Sequence, residues 1–299
     1  MKISRRDVLS GVGAMGVAGA LGAQRPLGSP ATAPPPKPLK RVLAIGDVQT
    51  GFQHESVSHA LATMERLGRE TGTFAMTIRT DSQLLTKSKV YGTGKYAAPP
   101  EGSKGNSAKN LNDFDAVFFF GVGEGSLSPE QRKDLLSFVH EDGKGFVGAH
   151  TAIDAFYAWP EYGDMMGGYF DNHPWGVANG TVLVEQTGFP GWGSLGASFP
   201  IKDEFYMAKA EPYSRKNVDV IARLDASKMD LTVKGLRKDL DFPVAWAKTY
   251  GKGKVFWSTF GHPVEAWDDP RVQGIYMGAL KWALGTAEYE VKVHPVGPR

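Results

Sequence analysis

The sequence predicts an α/β fold built on a doubly wound, mostly parallel sheet with helices on both faces. Short apolar segments recur along the chain, and segments with helical spacing of apolar residues lie between them. The clearest strand, residues 114–121, is apolar at almost every position, as expected for a strand buried on both faces of a parallel sheet. Strands that alternate with helices build such a sheet through crossover connections.

The first half of the chain supplies two strands and a helix. Residues 40–46 form a short apolar run that ends in glycine, which predicts a buried strand. Over residues 56–67 the apolar side chains repeat at intervals of three or four, which predicts a helix. Residues 74–78 form the second predicted strand. Residues 86–110 are rich in Gly, Lys, Ser and Pro and indicate a surface insertion.

The next elements have clear boundaries. A helix is predicted to begin at Ser128-Pro129, since proline suits the first turn, and to end at Asp142-Gly143. Residues 145–149 form a short strand followed directly by His150. The remaining predicted strands are 181–185, 218–224, 243–249 and 254–260, and the last predicted helix is 270–284.

Composition limits the chemistry. The chain has no cysteine, so thiol nucleophiles, disulfides, iron–sulfur clusters and thiolate zinc sites are excluded. The formal net charge is only +2 and no basic stripe is present, so nucleic acid is not an expected partner. Hydrophobic and charged contents of 41% and 22% are those of a globular protein. Any catalysis must therefore use histidines and carboxylates.

The N-terminus resembles an export signal. Ser4-Arg5-Arg6 and Leu9 follow the twin-arginine pattern, and a mild Gly- and Ala-rich apolar stretch comes next. That stretch is too short to be a permanent membrane span, so no stable membrane insertion is expected. We predict a signal peptide with a Pro-rich linker over 1–38, an α/β domain over 39–290 and a tail over 291–299. The expected location is periplasmic or extracellular.

Histidines follow the predicted strands where a ligand site is expected. In open parallel sheets, ligands bind beyond the carboxyl ends of the strands. His150 follows the strand 145–149 within a run of small residues that permits a tight turn, and His262 follows the strand 254–260. His54 lies in the loop after the first strand, at the same edge.

These positions resemble the class I glutamine amidotransferase scaffold, which has a flavodoxin-like three-layer sandwich. That family places its cysteine nucleophile at a Gly-x-Cys-x-Gly turn, where this chain has His150, and has a later His-Pro-Glu that His262-Pro263 matches in part. Glu265 falls one residue later than the family's glutamate. The missing thiol excludes amidotransferase activity.

A closer resemblance is to the ThuA-like (trehalose utilisation) family, which shares that scaffold without the cysteine. Gly-Phe-Gln-His-Glu-Ser at 51–56 and Gly-Phe-Val-Gly-Ala-His-Thr-Ala at 145–152 look like family motifs. The chain departs from the family at 198–200, where relatives often have His-Pro and this chain has Ser-Phe-Pro. The other matching stretches are 159–162, 167–174, 203–206, 243–246 and 251–262.

The resemblance implies a function in the metabolism of trehalose, another disaccharide or a keto-sugar, with a small carbohydrate as the partner. The expected activity is that of a hydrolase, lyase or isomerase acting on sugars. The alternatives are a non-catalytic carbohydrate-binding protein and an interaction partner of a sugar dehydrogenase. The oligomeric state stays open, with a homo-oligomer as one option. The catalytic candidates are His150, His262 and Glu204, and the substrate-binding candidates are His54, His173, Trp159, Trp246 and Asp203.

Two chemistries fit these residues, and the sequence leaves both open. Neutral imidazoles and a carboxylate can hold a divalent metal such as zinc, or they can act as a metal-free acid–base set. The cofactor is therefore unknown, and the candidate metal ligands are His54, His150, His173 and His262. Asp154 and Asp171 are candidates for orienting histidine rings. A weaker alternative is a glycosidase-type carboxylate pair drawn from Asp203, Glu204, Glu265 and Asp268. Structural roles are expected for His59, His140 and His294.

Overall fold

A computed structural model of the chain describes residues 38–47, 50–101, 103 and 105–292. The predicted signal peptide, nearly all of its linker, most of the tail and His294 lie outside these residues. The described strands are β1 (Lys40–Ile45), β2 (Phe74–Arg79), β3 (Ala116–Phe119), β4 (Gly145–Ala149), β5 (Phe170–Asn172), β6 (Val177–Val184), β7 (Ser198–Glu204), β8 (Met207–Ala208), β9 (Asp219–Leu224), β10 (Pro243–Tyr250) and β11 (Gly253–Ser258). The described α-helices are α1 (Ser56–Thr71), α2 (Pro129–His140), α3 (Pro160–Met166) and α4 (Pro270–Ala283).

The main sheet joins nine strands in the order β2-β1-β3-β4-β11-β10-β9-β6-β7. The first five are parallel, and their order is that of the flavodoxin-like doubly wound fold. The predicted α/β class is therefore confirmed. From β11 onward the strands pair antiparallel, which the alternation of predicted elements did not indicate.

Helices cover both faces of the parallel half. Along β1, Val42 and Ala44 belong to one buried cluster, whereas Leu43 and Ile45 belong to the other, because successive strand side chains point to opposite faces. The buried residues of α1 and α4 pack in the first cluster, and those of α2 and α3 in the second. The result is a three-layer sandwich with two hydrophobic cores.

Local signals explain how two helices begin and end. Ser128 caps α2 by accepting a bond from the backbone N–H of Gln131, and the side chain of Gln131 bonds back in a capping box. Gly72 ends α1 in the left-handed conformation, where glycine pays no steric penalty. None of the helices in the described part of the chain combines the length and apolarity needed to cross a bilayer.

Candidate functional site

The histidines that follow β1, β4 and β11 converge at the carboxyl edge of the parallel sheet. His54 lies between β1 and α1, His150 directly follows β4, and His262 lies four residues after β11. The end of β7 adds Glu204 to the same edge, because the Thr259 hydroxyl donates to the Glu204 carbonyl (2.9 Å) and accepts from the Tyr206 N–H (3.0 Å).

His150 is held in an unusual backbone conformation. It is fully buried and has a φ of 43°, in the left-handed region that residues other than glycine seldom occupy. Its Nδ1 lies 2.5 Å from the Thr259 carbonyl oxygen, which can only accept, so Nδ1 carries the proton. In the neutral ring the lone pair is then on Nε2, which faces the other site residues. The Trp257 indole N–H donates to the His150 carbonyl (2.9 Å).

His262 lies on a turn that a buried carboxylate holds in place. Asp203 has no exposed surface and accepts the backbone N–H of Gly261 (2.9 Å) and of His262 (3.1 Å). Burial raises the pKa of Asp203 to about 6, against the opposing effect of the His150 charge and these hydrogen bonds. Gly261 has a φ of 119°, and a Cβ there would meet the Trp267 ring at 2.7 Å, so the turn requires glycine.

Glu204 contacts three histidines. Its Oε2 lies 3.0 Å from Nδ1 of His262 and 3.5 Å from Nε2 of His150, while its Oε1 lies 3.6 Å from Nδ1 of His173. Burial by itself would raise the pKa of Glu204, but the hydrogen bonds and charges of His150 and His262 outweigh it and lower that pKa. The Glu204 side chain is therefore a buried carboxylate.

His54 completes the group from the β1 side. Its ring centroid is 4.9 Å from that of His150 and 4.8 Å from that of His262. Its Nδ1 lies 3.2 Å from the Phe52 carbonyl oxygen, so its Nε2 is also free of a proton in the neutral ring. Burial, followed by the charges of His150 and His262, lowers the pKa of His54 to about 4. The hydrogen bond to Glu204 raises the pKa of His262.

One ligand atom from each of His54, His150, Glu204 and His262 lies within 4.8 Å of all the others, and we call these residues the histidine–glutamate cluster. Nε2 of His150 and Nδ1 of His262 are 3.3 Å apart. The cluster differs from the predicted metal candidates in one member, because it contains Glu204 in place of His173. His173 lies outside the cluster and contacts Oε1, the outer oxygen of Glu204, which faces away from His150 and His262. His173 is 47% exposed and stacks on Phe170 at 5.6 Å.

The cluster is reachable from solvent on one side. The side chain of His262 is 27% exposed, and Phe52 is 70% exposed with its ring 4.9 Å from that of His54. An exposed aromatic ring beside buried polar groups can contact the apolar face of a sugar while the polar groups contact its hydroxyls. A small polar molecule could therefore contact the cluster at this opening.

Three predicted substrate-binding residues lie in the interior. Trp246 has no exposed surface, and its indole N–H donates to the Met166 carbonyl (2.7 Å). Trp159 is 5% exposed and packs against Phe156 and Tyr162. Asp203 uses its oxygens on backbone N–H groups, so it positions His262 instead of facing a ligand.

Other candidates have different partners from those expected. Asp154, a candidate for orienting a histidine ring, accepts a hydrogen bond from the Tyr157 hydroxyl (2.6 Å), and Nδ1 of His150 donates to the Thr259 carbonyl. Glu265 is exposed, and Asp268 pairs with His59 (2.8 Å). The glycosidase-type carboxylate pair is therefore not assembled among the described residues. His140 packs its ring against Tyr250 (5.1 Å), a structural contact.

Sequence reasoning missed Thr259 and Phe52. Thr259 binds His150 through its carbonyl and Glu204 through its hydroxyl, so it links two members of the cluster. Its place within the predicted strand 254–260, three residues before His262, was the available signal. Phe52 was visible as the aromatic residue two positions before His54.

The comparisons with known proteins agree with this fold. Residues 101–283 match the ThuA family, described as trehalose utilisation. The structure of a ThuA-like protein from Bacteroides uniformis is similar to this one with a TM-score of 0.64 at 20% identity, covering 85% of this chain and 95% of that one. A ThuA-like protein from Parabacteroides merdae gives 0.53 at 15% identity, covering 85% and 93%. No curated protein sequence matches significantly.

At these identities the two solved structures support the fold, whereas the family match supports descent. The match includes β3 to β11, three of the four members of the histidine–glutamate cluster and all of α4. The chain therefore belongs to the ThuA (trehalose utilisation) family.

Proposed function

We propose that this protein is an enzyme of carbohydrate metabolism that acts on a trehalose-type disaccharide or a keto-sugar at the histidine–glutamate cluster. The observation that carries the proposal is the convergence of three imidazoles and one carboxylate within 4.8 Å at a solvent-reachable sheet edge. Several groups that can transfer protons or polarise oxygen, held together at one site, favour catalysis over binding alone. The family description, trehalose utilisation, supports a sugar as the substrate.

Without a bound metal ion, the residues of the cluster suit proton transfer to and from a sugar. Nε2 of His150, unprotonated in the neutral ring, can accept a proton from a hydroxyl or from a carbon beside a carbonyl. His262, whose pKa is raised by Glu204, can return a proton to a leaving or carbonyl oxygen. This arrangement supports hydrolysis, elimination or isomerisation, and a keto-sugar suits it because its carbonyl makes the neighbouring C–H more acidic.

The test is turnover by the full chain of trehalose and of its keto derivative, followed by NMR and chromatography. We expect product from at least one sugar, with kcat lowered by about 10²-fold or more in His150→Ala and Glu204→Gln. His59→Ala is the matched control, because its histidine pairs with Asp268 outside the cluster. A sugar that binds stoichiometrically and is recovered unaltered would identify a carbohydrate-binding protein instead. Unchanged turnover in both cluster variants would place the chemistry elsewhere.

We also propose export through the twin-arginine pathway. The supporting feature is the Ser4-Arg5-Arg6 pattern, which lies outside the described residues. Replacing Arg5 and Arg6 by lysine should leave the protein in the cytoplasm of an expressing bacterium, measured by cell fractionation. Unchanged export of that double variant would contradict the proposal.

A further inference from the structure

We propose that the histidine–glutamate cluster is a binding site for one divalent transition metal ion, zinc or a similar borderline ion. A bound ion would occupy the ring nitrogens that the metal-free proton transfer uses, so this proposal selects the metal-assisted one of the two chemistries that the sequence left open. It does not depend on which sugar is the substrate. Three nitrogen donors and one carboxylate oxygen form a donor set typical of zinc and of other borderline divalent ions. Magnesium and calcium, which prefer oxygen ligands, are disfavoured.

The spacing of the donor atoms fits a single ion. Four atoms around a tetrahedral zinc, at about 2.0–2.1 Å from the metal, lie about 3.3 Å from one another. His150 Nε2 lies 3.3 Å from His262 Nδ1 and 3.5 Å from Glu204 Oε2, and these last two atoms are 3.0 Å apart. All donor atoms of the set lie within 4.8 Å, so a small side-chain rotation brings the widest pair to that spacing.

The contacts around the cluster are those of a metal site. His150 and His54 each have Nδ1 beside a backbone carbonyl oxygen, that of Thr259 and that of Phe52 respectively. Metal-binding histidines usually donate their second ring nitrogen in this way, which fixes the tautomer and aims the lone pair at the ion. His173 contacts the outer oxygen of Glu204, so the inner oxygen stays turned toward His150 and His262. We infer that His173 is a positioning residue and not a ligand.

The lone pairs of the ring nitrogens and of the Glu204 carboxylate also favour a bound cation. With Nδ1 of His150 protonated, its neutral Nε2 is an acceptor, and it lies beside Nδ1 of His262 and Oε2 of Glu204. Acceptors that face one another in a buried site repel unless a proton or a metal ion lies between them. A proton on Nδ1 of His262 satisfies only the pair that this atom forms with Oε2 of Glu204, whereas a metal ion would satisfy all four donors together. When bound, such an ion would polarise a sugar oxygen or lower the pKa of a water molecule.

The experiment is elemental analysis of the full chain, purified from cells without added metal or chelator. We expect about one equivalent of a divalent transition metal per chain, and less than about a tenth of that in His262→Ala and Glu204→Gln. His59→Ala and His140→Ala are matched controls that should keep the wild-type content, because both histidines lie outside the cluster. Circular dichroism verifies that every variant is folded.

A spectroscopic measurement keeps the test independent of activity. Cobalt(II), added to chelator-treated wild-type protein, should produce visible d–d bands of a nitrogen- and oxygen-ligated ion that saturate at about one equivalent. The bands should be absent from Glu204→Gln. No stoichiometric metal and no cobalt spectrum in the wild type would overturn the proposal, as would wild-type metal content in both cluster variants. Neither measurement needs a sugar, so the metal site and the proposed enzymatic function can fail separately.

Discussion

The conformation of His150 connects a single residue to the proposed function. A residue other than glycine in the left-handed region costs of order 1–3 kcal/mol and persists only where its surroundings impose it. His150 has no exposed surface. The Thr259 carbonyl accepts a hydrogen bond from its ring, and the Trp257 indole N–H donates to its backbone carbonyl. Glycine would adopt this backbone conformation at a lower energetic cost. We therefore infer that the imidazole side chain, and not the backbone, is the reason for a histidine at this position.

Asp203 positions the cluster without facing it, and the variant Asp203→Asn tests this. Its two oxygens accept the backbone N–H groups of Gly261, His262 and Glu204. An amide would turn an NH₂ group toward at least one of these donors, so we expect unfolding to become easier by about 1–3 kcal/mol. Urea denaturation measures the change.

The control for Asp203→Asn is Asp268→Asn, at an exposed carboxylate whose loss should cost less than about 0.5 kcal/mol. Because the turn that carries His262 loosens in Asp203→Asn, the amount of metal bound per chain should also decrease. An unfolding midpoint equal to that of the wild type would show that the backbone bonds of Asp203 contribute little.

If the proposed function is correct, Phe52 is placed to contact the sugar, and Phe52→Ala tests this role. Its ring is 70% exposed and meets the ring of His54 at 4.9 Å. If stacking on the Phe52 ring contributes about 0.5–1.5 kcal/mol to the free energy of substrate binding, its loss raises KM by about 2- to 12-fold. We expect kcat to stay nearly unchanged. The comparison is steady-state kinetics against Tyr96→Ala, an aromatic residue of similar exposure (57%) in the surface insertion. An equal effect in both variants would argue against stacking at Phe52.

At the scale of elements, the parallel half of the sheet was predictable from sequence. β1, β3 and β4 are continuous apolar runs because both of their faces are covered, and such runs are visible without neighbours. The strand ends then placed His150 and His262 at one edge, since parallel strands end together. Those two positions followed from local pattern alone.

The antiparallel half was not predictable in the same way. β6 alternates exposed and buried positions, and its partners β7 and β9 are set by long-range pairing. The pairing of β7 with β6 and the bond from the Thr259 hydroxyl place Glu204 at the cluster, and no local pattern encodes these long-range contacts. Its candidacy therefore came from the family resemblance. The interior positions of Trp159 and Trp246 were hidden for the same reason, because an aromatic residue can fill a core or face a ligand with the same local sequence.

At the scale of the whole molecule, the cluster joins segments that are distant in the chain. Its members come from the loop after β1, the ends of β4 and β7 and the turn after β11, so a bound ion would cross-link most of the sheet. An ion that binds only the folded state stabilises that state by mass action, by about 2.7 kcal/mol at a concentration 100 times its Kd. The parallel core and the antiparallel half would then unfold together at a higher temperature.

Removing the metal should therefore lower the melting temperature of the wild type. For a domain of this size, about 2.7 kcal/mol corresponds to a shift of roughly 5–10 °C. Scanning calorimetry before and after chelation, and again after zinc is restored, measures the loss and its recovery. Glu204→Gln should melt at one temperature whether or not zinc is present, because the ion has lost its carboxylate ligand, whereas His59→Ala should respond as the wild type does. If the melting temperature of the wild type changes neither with chelator nor with added zinc, no ion links these strands.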